Sequence, residues 1–343
     1  MSSVKTQNAF ALMAKLEATY GTAISLSAAA DGVLLADFAD VDFSAFLNDG
    51  SRGRAPGGGT RRRVKPSGRV GSMSLPFEAI GGGAAYSASV VPYAHTLFRA
   101  SGLEATSSFT GGTEFYKYAP EVGPTGLDSV TAEYYEGGQK YQLVGGYGSL
   151  SCSVDGPDVP RWMCDLLGIG TTPTDAALPT ITGGYPAATL LPPKAESVAL
   201  TLGLFTAGIV RGFEFDYSRS HDAARKNINS GGHAGYTPGG HSPTMKITVE
   251  QVALATVSPW STSTTLNPYA LKDDGQLIVC SLAVGALQYN RWKIYAGASA
   301  AALQAQVVDV QDAYDGPTRL WEITVEFKPS SLTLVDSFQI EFN

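Results

Sequence analysis

The chain of 343 residues carries little charge and little sulfur: 16% of its residues are Asp, Glu, Lys or Arg, and it holds three cysteines, five methionines and four histidines. Cys152, Cys164 and Cys280 are odd in number and widely spaced, which fits neither a disulfide framework nor the paired ligands of a zinc site. They are expected as reduced, buried thiols. Long apolar runs are also missing. No stretch has the roughly 20 uncharged apolar residues of a spanning helix, and Met1 to Phe10 lacks the apolar centre of a signal peptide. Synthesis in a cytoplasm, without membrane insertion, is expected. The formal charge of −7 provides no global field for nucleic acid or anionic lipid, so any such contact must be local. There is no Gly-x-Ser-x-Gly elbow, and neither Gly57-Gly58-Gly59 nor Gly81-Gly82-Gly83 leads into the Lys-Ser/Thr of a phosphate loop. The acids Glu133, Glu136 and Asp155 are dispersed on alternating strand faces, where a solvated surface is the common case, so no catalytic group, cofactor or metal site is expected.

Glycine (39), proline (19) and tyrosine (16) are plentiful, with a 44% hydrophobic share that belongs to a folded protein. At about 150 residues per domain the length suggests two domains. Glycine weakens helices, whereas aromatic and β-branched side chains suit pleated surfaces. Alternation confirms that direction. Met73, Leu75 and Phe77 alternate with Ser72, Ser74 and Glu78, and Leu150, Cys152 and Val154 with Ser149, Ser151 and Ser153. Further on, Val198, Leu200 and Leu202 mark a strand, as do Phe213, Phe215 and Tyr217, then Met245, Ile247 and Val249, and then Trp321, Ile323, Val325 and Phe327. Tyr134 to Tyr141 reads as a hairpin around Gly137-Gly138. Two short helices are predicted, Pro92 to Gly102 with Tyr93, Leu97 and Phe98 on one side, and Pro160 to Gly168 with Trp162, Met163, Leu166 and Leu167.

Residues 170–193, rich in Thr, Gly and Pro, read as a linker between a domain at 1–169 and another at 194–343. The two halves share an unusual plan, in which a strand is followed by a long loop and then by a strand that would pair with the first. Phe38 to Leu47 leads through 48–66 to Val70 to Phe77; Phe213 to Tyr217 leads through 218–243 to Met245 to Val252. Loops of 19 and 26 residues are uncommon unless functional or disordered. The first carries Arg52, Arg54, Arg61, Arg62, Arg63 and Lys65 against Asp49, a net +5 that leaves −12 for the rest of the chain.

Lys15-Leu16-Glu17-Ala18-Thr19-Tyr20-Gly21-Thr22-Ala23 resembles the opening phrase of major tail tube proteins of long-tailed bacteriophages. Leu97-Phe98-Arg99-Ala100-Ser101-Gly102-Leu103 is similar to that family's helix end, and Tyr141-Gln142-Leu143-Val144-Gly145-Gly146-Tyr147-Gly148 to its strand with a Gly turn. These phrases cover residues 1–168; the remainder matches only in its strand plan. The resemblance implies a mainly β chain of two tandem tail-tube-type β-sandwich or barrel domains with a few short flanking helices. It implies a structural protein of the virion tail, not an enzyme, whose subunits join their sheets into rings that stack into the DNA conduit. Two such domains per chain favour a ring of three subunits over one of six. Implied partners are the chain itself, a tape-measure protein, tail-tip and tail-terminator proteins, and double-stranded DNA passing without sequence recognition.

Under this resemblance the arms become contacts between rings or subunits, with Arg52, Arg54, Arg61, Arg62, Arg63, Lys65, Arg219, Arg225 and Lys226 as candidates. A passive solvated loop and an Arg/Gly-type contact with nucleic acid are the other readings of the first arm. His221, His233 and His241 lie in the second arm near Asp222 without the fixed spacing of a metal site, and His95 belongs to a helix face. A conduit that lets DNA slide should not hold it with cations, so Ser149, Ser151 and Ser153, or Glu322, Thr324 and Glu326, are candidates for the inner wall. The alternative is a soluble carbohydrate- or receptor-binding β-sandwich, with Trp260, Trp292 and Trp321 as the available aromatic contacts.

Overall fold

The computed structural model describes residues 9–43, 70–121, 127–187, 189–203, 205, 209–222, 236–252, 254, 267–330 and 336–343. The first segment supplies β1 (Phe10–Leu16), β2 (Gly32–Val33), β3 (Asp40–Asp42), β4 (Gly71–Glu78), α1 (His95–Ala100), β5 (Leu103–Ser108), β6 (Phe115–Pro120), β7 (Val130–Glu136), β8 (Gln139–Asp155), β9 (Arg161–Gly170) and β10 (Thr174–Asp175). The second supplies β11 (Val198–Leu202), β12 (Val210–Asp222), β13 (Thr237–Glu250), α2 (Pro268–Asp274), β14 (Cys280–Val284), β15 (Trp292–Ala296), β16 (Ala305–Asp315), β17 (Thr318–Phe327) and β18 (Phe338–Phe342).

The chain is mainly β and folds as two antiparallel sheets, with no closed barrel among the described residues. Twelve strands form the larger sheet, whose main line runs β3, β4, β9, β8, β12, β13, β17, β16; from the first half of β8, β7, β1 and β2 continue it sideways. Six strands form the smaller sheet in the order β11, β14, β15, β18, β6, β5. Both sheets draw strands from either side of residues 170–193. Leu150 to Asp155 of β8 pair with Tyr217 to Gly212 of β12, and Tyr116 and Tyr118 of β6 pair with Phe342 and Ile340 of β18. The core is equally shared: Trp162 packs on Trp292 at 5.3 Å and on Phe215 at 6.3 Å, and Phe98 on Phe342 at 5.6 Å between ring centroids. Burying such aromatic pairs against one another contributes beyond the area removed from water.

The main line of the larger sheet is one four-strand unit used twice. Placing Met73, Leu75 and Phe77 of β4 on Met245, Ile247 and Val249 of β13 carries the ladder registers across. Trp162 then falls on Trp321, Glu78 on Glu250, Asp155 on Asp315 and Asp42 on Asp216. The β8–β9 and β16–β17 hairpins even turn on the same phrase, Asp155-Gly156-Pro157 and Asp315-Gly316-Pro317. Both turn glycines have positive φ, 75° and 58°, which a side chain would strain. Thus β3, β4, β9 and β8 correspond to β12, β13, β17 and β16.

Several sequence expectations change. Residues 160–168 are not a helix: β9 alternates, with Trp162, Cys164 and Leu166 inward and Arg161, Met163 and Asp165 outward. The apolar Met163 and Leu167 imitate a helical stripe, but two neighbouring strands settle the period at two. Of Phe38 to Leu47, three residues form β3, while 44–69, including the whole basic arm, lie outside the described residues. The second arm is shorter than its expected span, because β12 continues to Asp222 and β13 begins at Thr237; Pro243 sits in the ladder opposite Tyr217. In the 170–193 stretch, Thr174 and Asp175 pair with β8 as β10, and the Thr182 and Gly183 amides donate to the Ala28 carbonyl. The hairpin at Gly137-Gly138 and the helix ending before Gly102 form as the sequence predicts.

His95, at the start of α1, places Nδ1 2.8 Å from the Tyr118 hydroxyl. Burial, aided by the nearby Arg99, lowers its pKa to about 4. The unfolded imidazole therefore takes up its proton first, so stability is fully present above about pH 6.5 and is lost as pH falls toward 4. Between pH 7.5 and 4.5 this site alone should cost about 2.5 kcal/mol. In urea titrations His95→Gln should lose that much less than the parent chain over the same interval; equal losses would show that His95 does not carry the slope.

Candidate functional site

Paired residues in a sheet share a face, so the ladder registers define the outer surface of the larger sheet. One row crosses it as Glu78, Arg161, Ser153, Glu214, Lys246, Thr324 and Asp309. The next runs Pro76, Met163, Ser151, Asp216, Thr244, Glu326 and Gln306. The two sets of candidate wall residues, on β8 and on β17, therefore belong to one continuous polar surface. Carboxylates outnumber cations on it. Lys246 pairs with Glu322 at 2.6 Å, Lys328 with Glu326 at 2.5 Å and Arg211 with Glu250. Glu214 and Asp216 stand beside Ser153 and Ser151 on one side and beside Lys246 and Thr244 on the other. Partial burial raises the Glu78 carboxyl, against the opposing pull of Arg161. Between β8, β12 and β13 the surface dips into a cavity of about 680 Å³ lined by Ser153, Asp155, Arg211, Glu214, Lys246 and Glu322.

At the edge of this surface the three family-like phrases meet. Glu17, 9% exposed, follows β1 and accepts four hydrogen bonds. Oε1 takes Thr131 Oγ1 at 2.7 Å and the Gly145 amide at 2.8 Å; Oε2 takes Ser129 Oγ at 2.7 Å and the Gly21 amide at 2.8 Å. One carboxylate thus ties β1, the start of β7 and the bulge in β8. Gly145, at φ 63°, forms that bulge and lies against the Tyr20 ring, where a Cβ would crowd it. Tyr20 stacks on Tyr147 at 5.3 Å, and its hydroxyl both donates to the Tyr236 carbonyl at 3.2 Å and accepts from the Tyr236 amide at 2.9 Å. The opening phrase is therefore fastened to the chain entering β13.

Arg219 belongs to the same junction. Its Nε donates to the Gly239 carbonyl at 3.3 Å, and its guanidinium lies where a side chain on Gly102 would have to go. Burial raises the nearby Glu121 carboxyl, while Arg99 and Arg219 hold it down. Of the predicted contact residues, Arg219 thus makes intramolecular contacts at the base of the β12–β13 hairpin. Arg52, Arg54, Arg61, Arg62, Arg63, Lys65, Arg225 and Lys226 lie outside the described residues. His241 faces the Tyr217 ring at 5.3 Å, and burial with Arg219 lowers its pKa; His233 and Trp260 lie outside the described residues.

Among the described residues no group of three or more His, Cys, Asp or Glu is placed to hold a metal ion. No helix among them is long and apolar enough to cross a membrane. All three thiols are buried and free, and burial pushes Cys164 and Cys280 up to about 12 and Cys152 well above its ordinary value. Trp292 and Trp321, candidates for a flat binding face, are in the core. Comparison with protein-family models and with curated proteins finds no match.

The Glu17 knot has a direct consequence. Glu17→Gln keeps the shape but sets an NH2 against two of the four donors, one backbone amide and one hydroxyl, leaving at least the amide unpaired. A loss of about 2 to 4 kcal/mol in urea unfolding is expected, whereas Tyr20→Phe should cost about 1 kcal/mol. A Glu17→Gln change no costlier than Tyr20→Phe would remove the carboxylate from this role.

Proposed function

We propose that this chain is a structural subunit of a bacteriophage tail tube, forming rings that stack into the conduit for DNA. The observation that carries the reading is the single polar face of the larger sheet, built from both halves and dominated by carboxylates and hydroxyls. A wall along which double-stranded DNA slides must stay hydrated and must not grip phosphates, and each Lys or Arg contacting a phosphate adds to retention by counterion release. On this face Lys246, Lys328 and Arg211 are held by Glu322, Glu326 and Glu250, and Arg161 stands opposite Glu78. The repeated four-strand unit supports the same reading, since two units per chain let three chains make a ring of six. The protein would then reside in the virion tail, around a tape-measure protein and between tip and terminator proteins. The location of Trp292 and Trp321 in the core gives no support to a carbohydrate- or receptor-binding face.

The reading is tested at the wall. Glu214→Lys and Asp216→Lys together reverse two charges in the middle of the face without touching the Glu17 knot or the core. Particles carrying both are expected to assemble normally, as seen by negative-stain microscopy, while DNA release slows at least tenfold. Release at the parental rate would contradict a conduit lined by this face.

A further inference from the structure

Apart from the polar face, a second cavity of about 410 Å³ lies between β1 and β2, the loop at 82–93 and the start of α1. Its walls are fixed by backbone contacts. Gly184, at φ 84°, comes so near Gly32 that a Cβ would run into the Gly32 carbonyl. On the other side the Asn290 Oδ1 accepts the Gly81 amide at 3.0 Å, and the Tyr289 carbonyl accepts both the Gly83 amide and the Tyr86 hydroxyl at 3.1 Å. Tyr289 makes these bonds with φ at 64°, a left-handed conformation uncommon for a bulky side chain. Backbone strain of this kind persists where the surroundings over-determine it, and it gathers at ligand clamps and other functional sites.

The polar groups around the cavity offer donors in excess of acceptors. His95 Nδ1 lies 2.8 Å from the Tyr118 hydroxyl, which is fully buried and has no other partner among the described residues. A buried phenol in that position donates to Nδ1, and the imidazole proton then sits on Nε2. Among the described residues none accepts from Nε2, and His95 lines the cavity. Lys15, half-exposed, is held loosely, with Nζ 3.4 Å from both carboxylate oxygens of Asp31. Asp31 Oδ2 also accepts the Ser27 amide at 2.8 Å, so the carboxylate keeps a partner of its own while the ammonium has three N–H groups to share. Val33, Val90, Val91 and Pro92 supply apolar lining.

We propose that this cavity binds a small organic carboxylate with an apolar body, its oxygens shared between Lys15 Nζ and the His95 Nε2–H and its body against the valines. One ammonium and one neutral N–H match the charge of a monoanion, and charge-assisted hydrogen bonds are the strong ones. The volume falls toward the small end of the range for ligand pockets, which are preformed clefts where a few placed polar groups orient an apolar ligand. This site goes beyond the conduit reading and does not depend on assembly.

The test uses the full-length chain at neutral pH and ligand-observed saturation-transfer NMR, which reads weak binding to single subunits and to particles alike. The probes are phenylacetate and its uncharged amide, phenylacetamide, with inorganic phosphate as a competitor. Phenylacetate should bind saturably, the amide about tenfold more weakly, and an equal concentration of phosphate should leave the phenylacetate signal unchanged. Lys15→Met keeps the apolar stem of a half-exposed side chain, so it should preserve the melting temperature and weaken phenylacetate by about tenfold. Absence of a saturable phenylacetate signal, equal binding of the amide, displacement by phosphate, or parental affinity in Lys15→Met would each overturn the proposal and leave the tube reading untouched.

Discussion

β8 pairs with four other strands, β7, β9, β10 and β12, over its 17 residues, and the rest of the molecule is arranged around that requirement. Its first half lies between β7 and β9, its second half between β12 and β9, and the change of partner occurs at the Gly145-Gly146 bulge. A bulge bends a strand and re-aims its edge, which here lets a strand of the second segment continue a sheet begun by the first. Glu17 fixes the bulge by accepting the Gly145 amide, and Tyr20 packs over it. The opening phrase, the Gly turn of β8 and the helix end at Gly102 are thus parts of one junction, although some 120 residues of chain lie between the first and the last.

Energetically the two segments depend on one another. Phe342, from the last strand, fills the space between Phe98 and Tyr118 of the first segment, and Trp292 closes over Trp162. Removing either segment would expose large aromatics and two open sheet edges at once. The division at residues 170–193 is therefore one of chain order and repeat, while both sheets and the core run across it.

Much of this was legible in the sequence. Strand periods in β4, β8, β12, β13 and β17 showed plainly because each has one polar face, and the Gly137-Gly138 turn carried its own signature. β9 was obscured because Met163 and Leu167 are apolar on the half-covered side, giving a pattern that local spacing cannot resolve. The paired phrases Asp155-Gly156-Pro157 and Asp315-Gly316-Pro317, each followed within a few residues by a core tryptophan, were the available signal for the repeat, and they also locate its two corresponding hairpins. What no pattern could reveal was the partnership of distant residues. The four donors on Glu17 come from three separate stretches, and Arg219 reads as a free arm cation until the fold sets it against Gly102 and the Gly239 carbonyl. The polar wall posed the reverse problem: its rows were visible one strand at a time, but only ladder registers show that β8 and β17 share a face.

The central claim is that one four-strand unit, joined to its copy through β8 and β12, is the repeating element of a larger closed sheet. A cryo-electron map of assembled particles tests it most directly. The account predicts a continuous β-wall of six near-equivalent units from three chains, with strand-to-strand spacing unbroken across every boundary and the Glu214 and Asp216 row facing the channel. Separate sandwiches touching through loops, or chains related by two-fold contacts with that row facing outward, would contradict it.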